Sequence, residues 1–290
     1  MPVVDDELIR EFAENGFVVV PDLLSSTELG RYQAAVRAAV AQRKARDRRA
    51  LAERTVYEQS FVQCQNLWED FPDVRPLTFH PRLAEAAAEL IGAPAVRLFH
   101  DQALFKEPGG RPTDPHQDLP YWPIAEPDTL TAWVPFEGST LRSGCMGYVP
   151  GSHRLGVRKF VDIFRANAEE IREQTRELMP VEPVYVEVPR GGVAFHHGLT
   201  AHLARPNESD ATREVHTVIY FRDGCTRGPE GAHPSLDRAG IAVGAAIASD
   251  VTPIAWPRPA GDLPTPPPPP EGVPEVLRRL GVLPGGEPPG

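Results

Sequence analysis

A mainly β protein with flanking helices is the fold class this sequence predicts. Two observations point to it. From residue 95 onward, short runs rich in β-branched and aromatic residues recur at 96–106, 129–135, 146–149, 184–188, 192–197 and 216–222. Gly and Pro punctuate these runs, the pattern of a β-sandwich or barrel. Before residue 95 the apolar residues follow helical spacing instead.

The elements are justified in order as follows. Residues 5–15 read as a helix with Leu8, Ile9 and Phe12 as its apolar stripe. Gly16 supplies the C-terminal cap, and the following FVVV reads as a strand. Ser25 or Ser26 caps a long Ala- and Arg-rich helix that runs to about residue 50. A shorter helix occupies 81–91, with Pro81 at its start and Gly92 past its end. These helices form an N-terminal part over 1–94, and the strands form a core over 95–225. A charged, helix-like insertion at 157–178 interrupts the core, where a surface lid would sit. Together these make one domain over 1–256. From residue 257 to 290 the chain is rich in Pro and Gly, including five consecutive prolines, and is expected to be an extended tail.

Composition narrows the partners. The 290 residues carry a net charge of -10 and 41% hydrophobic residues, enough apolar surface for a sizeable core. An acidic chain of this kind is not expected to bind nucleic acid or anionic membranes, both of which need a basic surface. No run approaches the ~18 apolar residues of a membrane span, and the acidic N-terminus does not read as a signal peptide. Cys64, Cys145 and Cys225 are far apart and odd in number, so no disulfide framework or zinc ribbon is supported. The expected location is cytoplasmic.

The chemistry concentrates in two segments. In TDPHQDLPYW, His116 and Asp118 stand two apart. On a strand, residues i and i+2 share a face, so an imidazole and a carboxylate could converge on one ion. The segment AFHHGLTAH offers His196, His197 and His202 as a third ligand. Two histidines and a carboxylate leave one face of an octahedral ion open, the arrangement of non-haem Fe(II) oxygenases. An HxD triplet alone is weak, since it occurs by chance. Arg213, eleven residues after His202 and beyond the turn-rich PNESD, strengthens it. If the chain returns antiparallel, Arg213 lies beside the His202 strand, where its guanidinium could hold a carboxylate. His80, His100, His153, His216 and His233 lack this pattern and read as ordinary surface or core histidines.

With these segments in place, the chain resembles the phytanoyl-CoA dioxygenase family of Fe(II)- and 2-oxoglutarate-dependent oxygenases. The resemblance spans roughly residues 5–225. It rests on the ordered blocks FAENGFVVV, HQDLPYW, TAWVP, GCMGYVPGSH and HHGLTAH followed by Asn207, Ser209 and Arg213. It implies a double-stranded β-helix, or jelly-roll, core. It also implies Fe(II) held by His116, Asp118 and His202, leaving His196 and His197 as supporting or packing residues. Arg213 would then pair with the distal carboxylate of 2-oxoglutarate. Trp133, Gln102 and Gln117 would line the cosubstrate pocket, with Gln65 as a looser match. Ala204 stands where the family often has Ser, so one hydroxyl contact is missing. Tyr121 and Trp122 are candidates for the wall of the substrate pocket, and Lys106 and Arg111 for contact with an anionic substrate.

The activity implied is oxidation, most simply hydroxylation, of a small or medium-sized metabolite by dioxygen, with release of succinate and CO2. Asp118 favours this over halogenation, because halogenating relatives lack that carboxylate. Two other readings compete: a non-oxidative metal-binding jelly roll, such as a cupin-type hydrolase or isomerase, and a non-enzymatic sensor. Arg213 in register with His202 disfavours the first, and the intact triad disfavours the second.

Overall fold

In the computed structural model the described residues are 2–158, 175, 178–229, 231–258 and 261–268. The helix-like insertion expected at 157–178 and the tail at 257–290 fall largely outside them. No helix among the described residues is long and apolar enough to cross a membrane.

The helices begin and end where their caps dictate. Helix α1 (Asp6–Asn15) starts at Asp5, whose carboxylate accepts the N–H groups of Glu7 and Leu8, and stops at Gly16 with φ 82°. Strand β1 (Phe17–Val20) follows. Helix α2 (Ser26–Lys44) opens with a capping box between Ser25 and Glu28. It ends at Lys44 rather than near residue 50. The residues beyond are almost all exposed and have no apolar stripe to bury. Strand β2 (Val62–Gln65) and the short helices α3 (Leu67–Asp70) and α4 (Arg75–Thr78) lead to α5 (Pro81–Ile91), which Gly92 closes with φ 72°.

Strands β3 (Val96–Lys106), β4 (Thr113–His116), β5 (Thr129–Pro135), β6 (Met146–Tyr148), β7 (Val184–Val186), β8 (Val193–His197), β9 (His202–Ala204) and β10 (Arg213–Arg222) make up the core. Helix α6 (Pro234–Asp237) and strand β11 (Ile254–Trp256) close the described chain. All strands pair antiparallel. The larger sheet runs β1-β8-β5-β10-β3-β11, with β2 also on β3, and the smaller runs β4-β9-β6-β7. This is the jelly roll with flanking helices.

The strand period of two sorts residues between the sheet faces. Along β5, Leu130, Ala132 and Val134 pack into the apolar cluster that includes α2 and α5. Thr131 and Trp133 face the other way, toward a cavity between the sheets. A second cluster, including Phe17, Trp133, Tyr148, Ala204 and Val215, joins the two sheets beside that cavity. The apolar layers therefore hold the inner faces of β3, β5 and β10 opposite β4 and β9.

Candidate active site

His116 ends β4 and His202 begins β9. The antiparallel register sets the two opposite each other, with ring centroids 4.3 Å apart. Asp118 does not continue the strand. Its backbone is helical (φ -77°, ψ -45°) and opens the 3-10 turn Leu119–Tyr121. Leu119 N–H donates to the Gly198 carbonyl and Tyr121 N–H to the Asp118 carbonyl, which ties down the turn. The shared strand face expected for the HxD triplet is thus corrected: a turn, not pleat alternation, brings the carboxylate back to the imidazoles. Asp118 Oδ1 lies 3.7 Å from His116 Nε2 and 3.6 Å from His202 Nε2. One donor atom from each residue lies within 4.8 Å of the others, so the set could hold a metal ion.

Backbone groups aim the ring nitrogens. His116 Nδ1 donates to the Asp114 carbonyl (2.8 Å) and His202 Nδ1 to the Thr200 carbonyl (2.9 Å). That leaves both Nε2 lone pairs facing Asp118, the arrangement that orients metal-binding imidazoles. Burial pushes both imidazoles down to about 4, so they are neutral at pH 7, as ligation requires. The other oxygen of Asp118 accepts from His196 Nε2 (3.1 Å) and Thr131 Oγ1 (3.0 Å). Burial penalises the Asp118 carboxylate, but His202, His196 and His116 outweigh that and hold the carboxyl well below the usual range. His197 lies apart from this cluster. Its Nδ1 accepts from Leu199 N–H, and its ring packs near Phe12 and His153.

Arg213 reaches the cavity from the other sheet. It starts β10, which pairs with β3 and β5, whereas β9 pairs with β4 and β6. The expectation that Arg213 lies beside the His202 strand is therefore corrected: it faces that strand from across the sandwich. The residue is only 5% exposed. Its Nη1 donates to the Gly144 carbonyl, its guanidinium carbon sits 5.1 Å from the Trp133 ring centroid, and Nε has no partner. No carboxylate pairs with it among the described residues. Burial lowers it to about 10, which still leaves it charged at pH 7. A buried cation without a counter-ion is costly, so this one is poised for an anion that enters the cavity.

The cavity measures about 120 Å³. Its lining brings together His116, Asp118, His202, Arg213, Trp133, Gln102, Gln65, Ala204, Tyr121 and Trp122. Gln117 is the exception. Its Nε2 donates to the Leu199 carbonyl (2.7 Å) and the Gly156 carbonyl (3.1 Å), and its Oε1 accepts from Arg158 N–H. With its amide engaged away from the cavity, Gln117 does not meet the expectation of a cosubstrate contact. Lys106 and Arg111 are also absent from the lining. The Lys106 amine donates to the Arg111 carbonyl, and Arg111 Nη1 donates to the Val56 carbonyl. Burial, then neighbouring Arg213 and Arg111, lower Lys106 to about 6.

Several lining residues went unread in the sequence. His100, taken as ordinary, lines the cavity two positions before Gln102 on β3. The strand period from Gln102 could have found it. Thr131 stands in the same relation to Trp133 on β5, and Thr217 sits opposite both Trp133 and Gln102 on β10. Tyr57, Phe61 and Gln63 come from a segment with no periodic signal.

Comparison with known proteins agrees with this geometry. The family model described as Phytanoyl-CoA dioxygenase (PhyH) matches residues 12–215. Phytanoyl-CoA dioxygenase domain-containing protein 1 from Mus musculus is 29% identical over 157 residues, 51% of this chain and 52% of the relative. A probable alpha-ketoglutarate-dependent hypophosphite dioxygenase from Stutzerimonas stutzeri is 31% identical over 134 residues, covering 43% of this chain and 45% of the relative. The chain thus spans about half the length of the curated relatives it matches. Among solved structures, the non-heme alpha ketoglutarate dependent carbocyclase SnoK from nogalamycin biosynthesis superposes with a TM-score of 0.71 at 31% identity. That match covers 87% of this chain and 96% of SnoK. The epimerase SnoN, solved with Fe3+, alpha ketoglutarate and nogalamycin RO, superposes with a TM-score of 0.66 at 26% identity, over 86% of this chain and 98% of SnoN.

Proposed function

The chain belongs to the phytanoyl-CoA dioxygenase family, and on that premise we propose that it is an Fe(II)- and 2-oxoglutarate-dependent dioxygenase hydroxylating a small or medium-sized metabolite. Succinate and CO2 are the co-products. One observation carries the reading: the buried Arg213, which has no counter-ion among the described residues, shares a cavity with the His116, Asp118 and His202 donor set. A metal site alone would fit a cupin-type hydrolase. A metal site with a waiting guanidinium fits a cosubstrate that has a chelating end and a carboxylate end.

The donor set suits the ion. Two neutral imidazoles and one carboxylate bind Fe(II) and leave positions open. Bound there, Fe(II) supplies the dioxygen activation that couples 2-oxoglutarate decarboxylation to substrate oxidation. The protein's residues do the rest. Arg213, steadied by the Gly144 carbonyl and the Trp133 ring, orients the cosubstrate through its distal carboxylate. His196 and Thr131 fix the Asp118 carboxylate so that its other oxygen stays turned toward His116 and His202, with which it would hold the metal. Gln102 and Ala204 form part of the cosubstrate wall, with Gln65 at its exposed margin, and Tyr121 and Trp122 bound the substrate side. The aromatic part of the lining limits water around the reacting groups.

Succinate release tests this reading. Protein given Fe(II), ascorbate and 2-oxoglutarate in air forms succinate even without a primary substrate. No succinate above an iron-free control would overturn the assignment.

A second oxidative outcome has a specific observation behind it, since the two relatives above that align over most of both chains are a carbocyclase and an epimerase. Product mass separates the outcomes: hydroxylation adds one oxygen atom, ring closure removes two hydrogens and epimerisation leaves the mass unchanged.

A further inference from the structure

We propose that the primary substrate is an uncharged ring compound carrying hydroxyl or carbonyl groups, and that His100 is the side chain that hydrogen-bonds to it. This rests on the oxygenase reading above and adds the substrate class.

The charge inventory of the cavity is the first support. Imidazoles aside, its described lining holds two charged side chains, Asp118 and Arg213. In the proposed reading the metal engages the first and the cosubstrate the second. The two neighbouring basic side chains, Lys106 and Arg111, are turned onto backbone carbonyls, and Lys106, lowered to about 6 by burial and then by Arg213 and Arg111, is largely neutral at pH 7. A phosphate or carboxylate on the primary substrate would enter the cavity without a partner among the described residues, and an unpaired charge carries a large desolvation cost.

The apolar and neutral polar groups are the second support. Besides Trp133, which packs against Arg213, the aromatic side chains of Tyr57, Phe61, Tyr121 and Trp122 line the cavity. Tyr121 stands edge-on to His116 at 6.0 Å, so an aromatic surface borders the metal ligands directly. Such surfaces take flat rings or the C–H faces of saturated ones. The neutral chain of Tyr57 Oη donating to Gln63 Oε1 (3.0 Å), and Gln63 Nε2 donating to Gln102 Oε1 (2.6 Å), covers another part of the wall.

His100 supplies the polar anchor. It is 3% exposed, lines the cavity and stands edge-on to Trp122 at 5.9 Å. Its Nδ1 is buried without a hydrogen-bond partner. Buried polar atoms are almost always paired, and a turn of this cavity-lining ring about its Cβ–Cγ bond would bring the unpaired nitrogen to a substrate hydroxyl or carbonyl.

Calorimetric titration of the full chain, loaded with Fe(II) and 2-oxoglutarate under argon, tests this. The probes are naringin, a neutral flavonoid glycoside; 2-naphthol and 2-naphthoate, which share a ring body and differ in charge; and octanoyl-CoA. The neutral compounds bind at least ten-fold more tightly than either anion. His100→Phe weakens naringin about ten-fold, and His100→Asn recovers part of the loss. Gln63→Leu provides a second variant from a different strand should His100→Phe fail to fold, and it also weakens naringin. Tighter binding of 2-naphthoate or octanoyl-CoA, or no binding of any neutral ring compound, overturns the proposal. A 2-oxoglutarate titration on the same protein separates the two levels: cosubstrate binding with the anions preferred defeats only the substrate class, whereas no cosubstrate binding defeats the oxygenase reading.

Discussion

At the scale of single residues, Arg213 and His196 carry the sharpest expectations. Hydrogen bonds to a charged group contribute about 1.5–3 kcal/mol, and about 1.4 kcal/mol is ten-fold in affinity. Arg213→Ala therefore raises the 2-oxoglutarate concentration for half-saturation by roughly 10- to 100-fold, measured by anaerobic titration. Arg213→Lys recovers only part, because an ammonium lacks the two-pronged geometry of a guanidinium. Unchanged cosubstrate affinity in Arg213→Ala would count against the carboxylate role. His196→Ala keeps all three candidate metal ligands but frees the Asp118 oxygen that His196 holds at 3.1 Å. Loss of such a supporting contact weakens metal binding about 10- to 100-fold, and an Fe(II) titration reads it. That His116, Asp118, His202 and Arg213 come together was legible in the sequence because their residue types and order are distinctive. Gln117 was misread because adjacency to ligands in sequence says nothing about which way an amide turns. His100 was overlooked because its part in the site comes from the pleat, not from a motif.

At the scale of elements, two sheets meet to make one site. The smaller sheet presents His116 and His202, and the larger presents Arg213, Trp133 and Gln102. The link between them runs through Gly144, which has φ 89° and whose carbonyl accepts from Arg213. A Cβ at this position would stand 2.8 Å from the Arg205 carbonyl oxygen. Gly144→Ala therefore displaces the carbonyl that anchors the guanidinium. The expected outcome is weaker 2-oxoglutarate binding with Fe(II) affinity held, and equal losses of both would contradict it. The long strands β3 and β5 and helix α5 were readable from periodicity with these bounds. Strands β4 and β9 were not, because three or four residues cannot display alternation, and β4 contains Pro115. Their long-range pairing, β4 with β9 and β9 with β6, defines them. The start of β10 at Arg213 was missed for a related reason: its first residues are polar in sequence, and tertiary burial makes them strand.

At the scale of the whole molecule, buried histidines set the response to acid. Burial pushes His100, His116, His197 and His202 down to about 4, and it also pushes His233 well below its ordinary value. Their unfolded values lie near 6.5, so between about pH 6.5 and 4 the unfolded chain binds more protons than the folded one. Stability is full above that window and falls as pH drops through it. The Tm of metal-free protein should decline steeply from pH 6.5 to 4, and a flat profile there would contradict the burial of these rings. The overall architecture was legible from its run of short strands and its helical N-terminal part. The facing of the two sheets across the cavity was not, since it depends on which strands pair at long range. The central claim is that one cavity binds Fe(II) and 2-oxoglutarate together, and anaerobic visible spectroscopy reads this most directly. Adding Fe(II) and 2-oxoglutarate to the protein should produce a metal-to-ligand charge-transfer band that His202→Ala abolishes and that Arg213→Ala shifts to higher cosubstrate concentration. The absence of that band in the unmodified protein, with both components in excess, would contradict it.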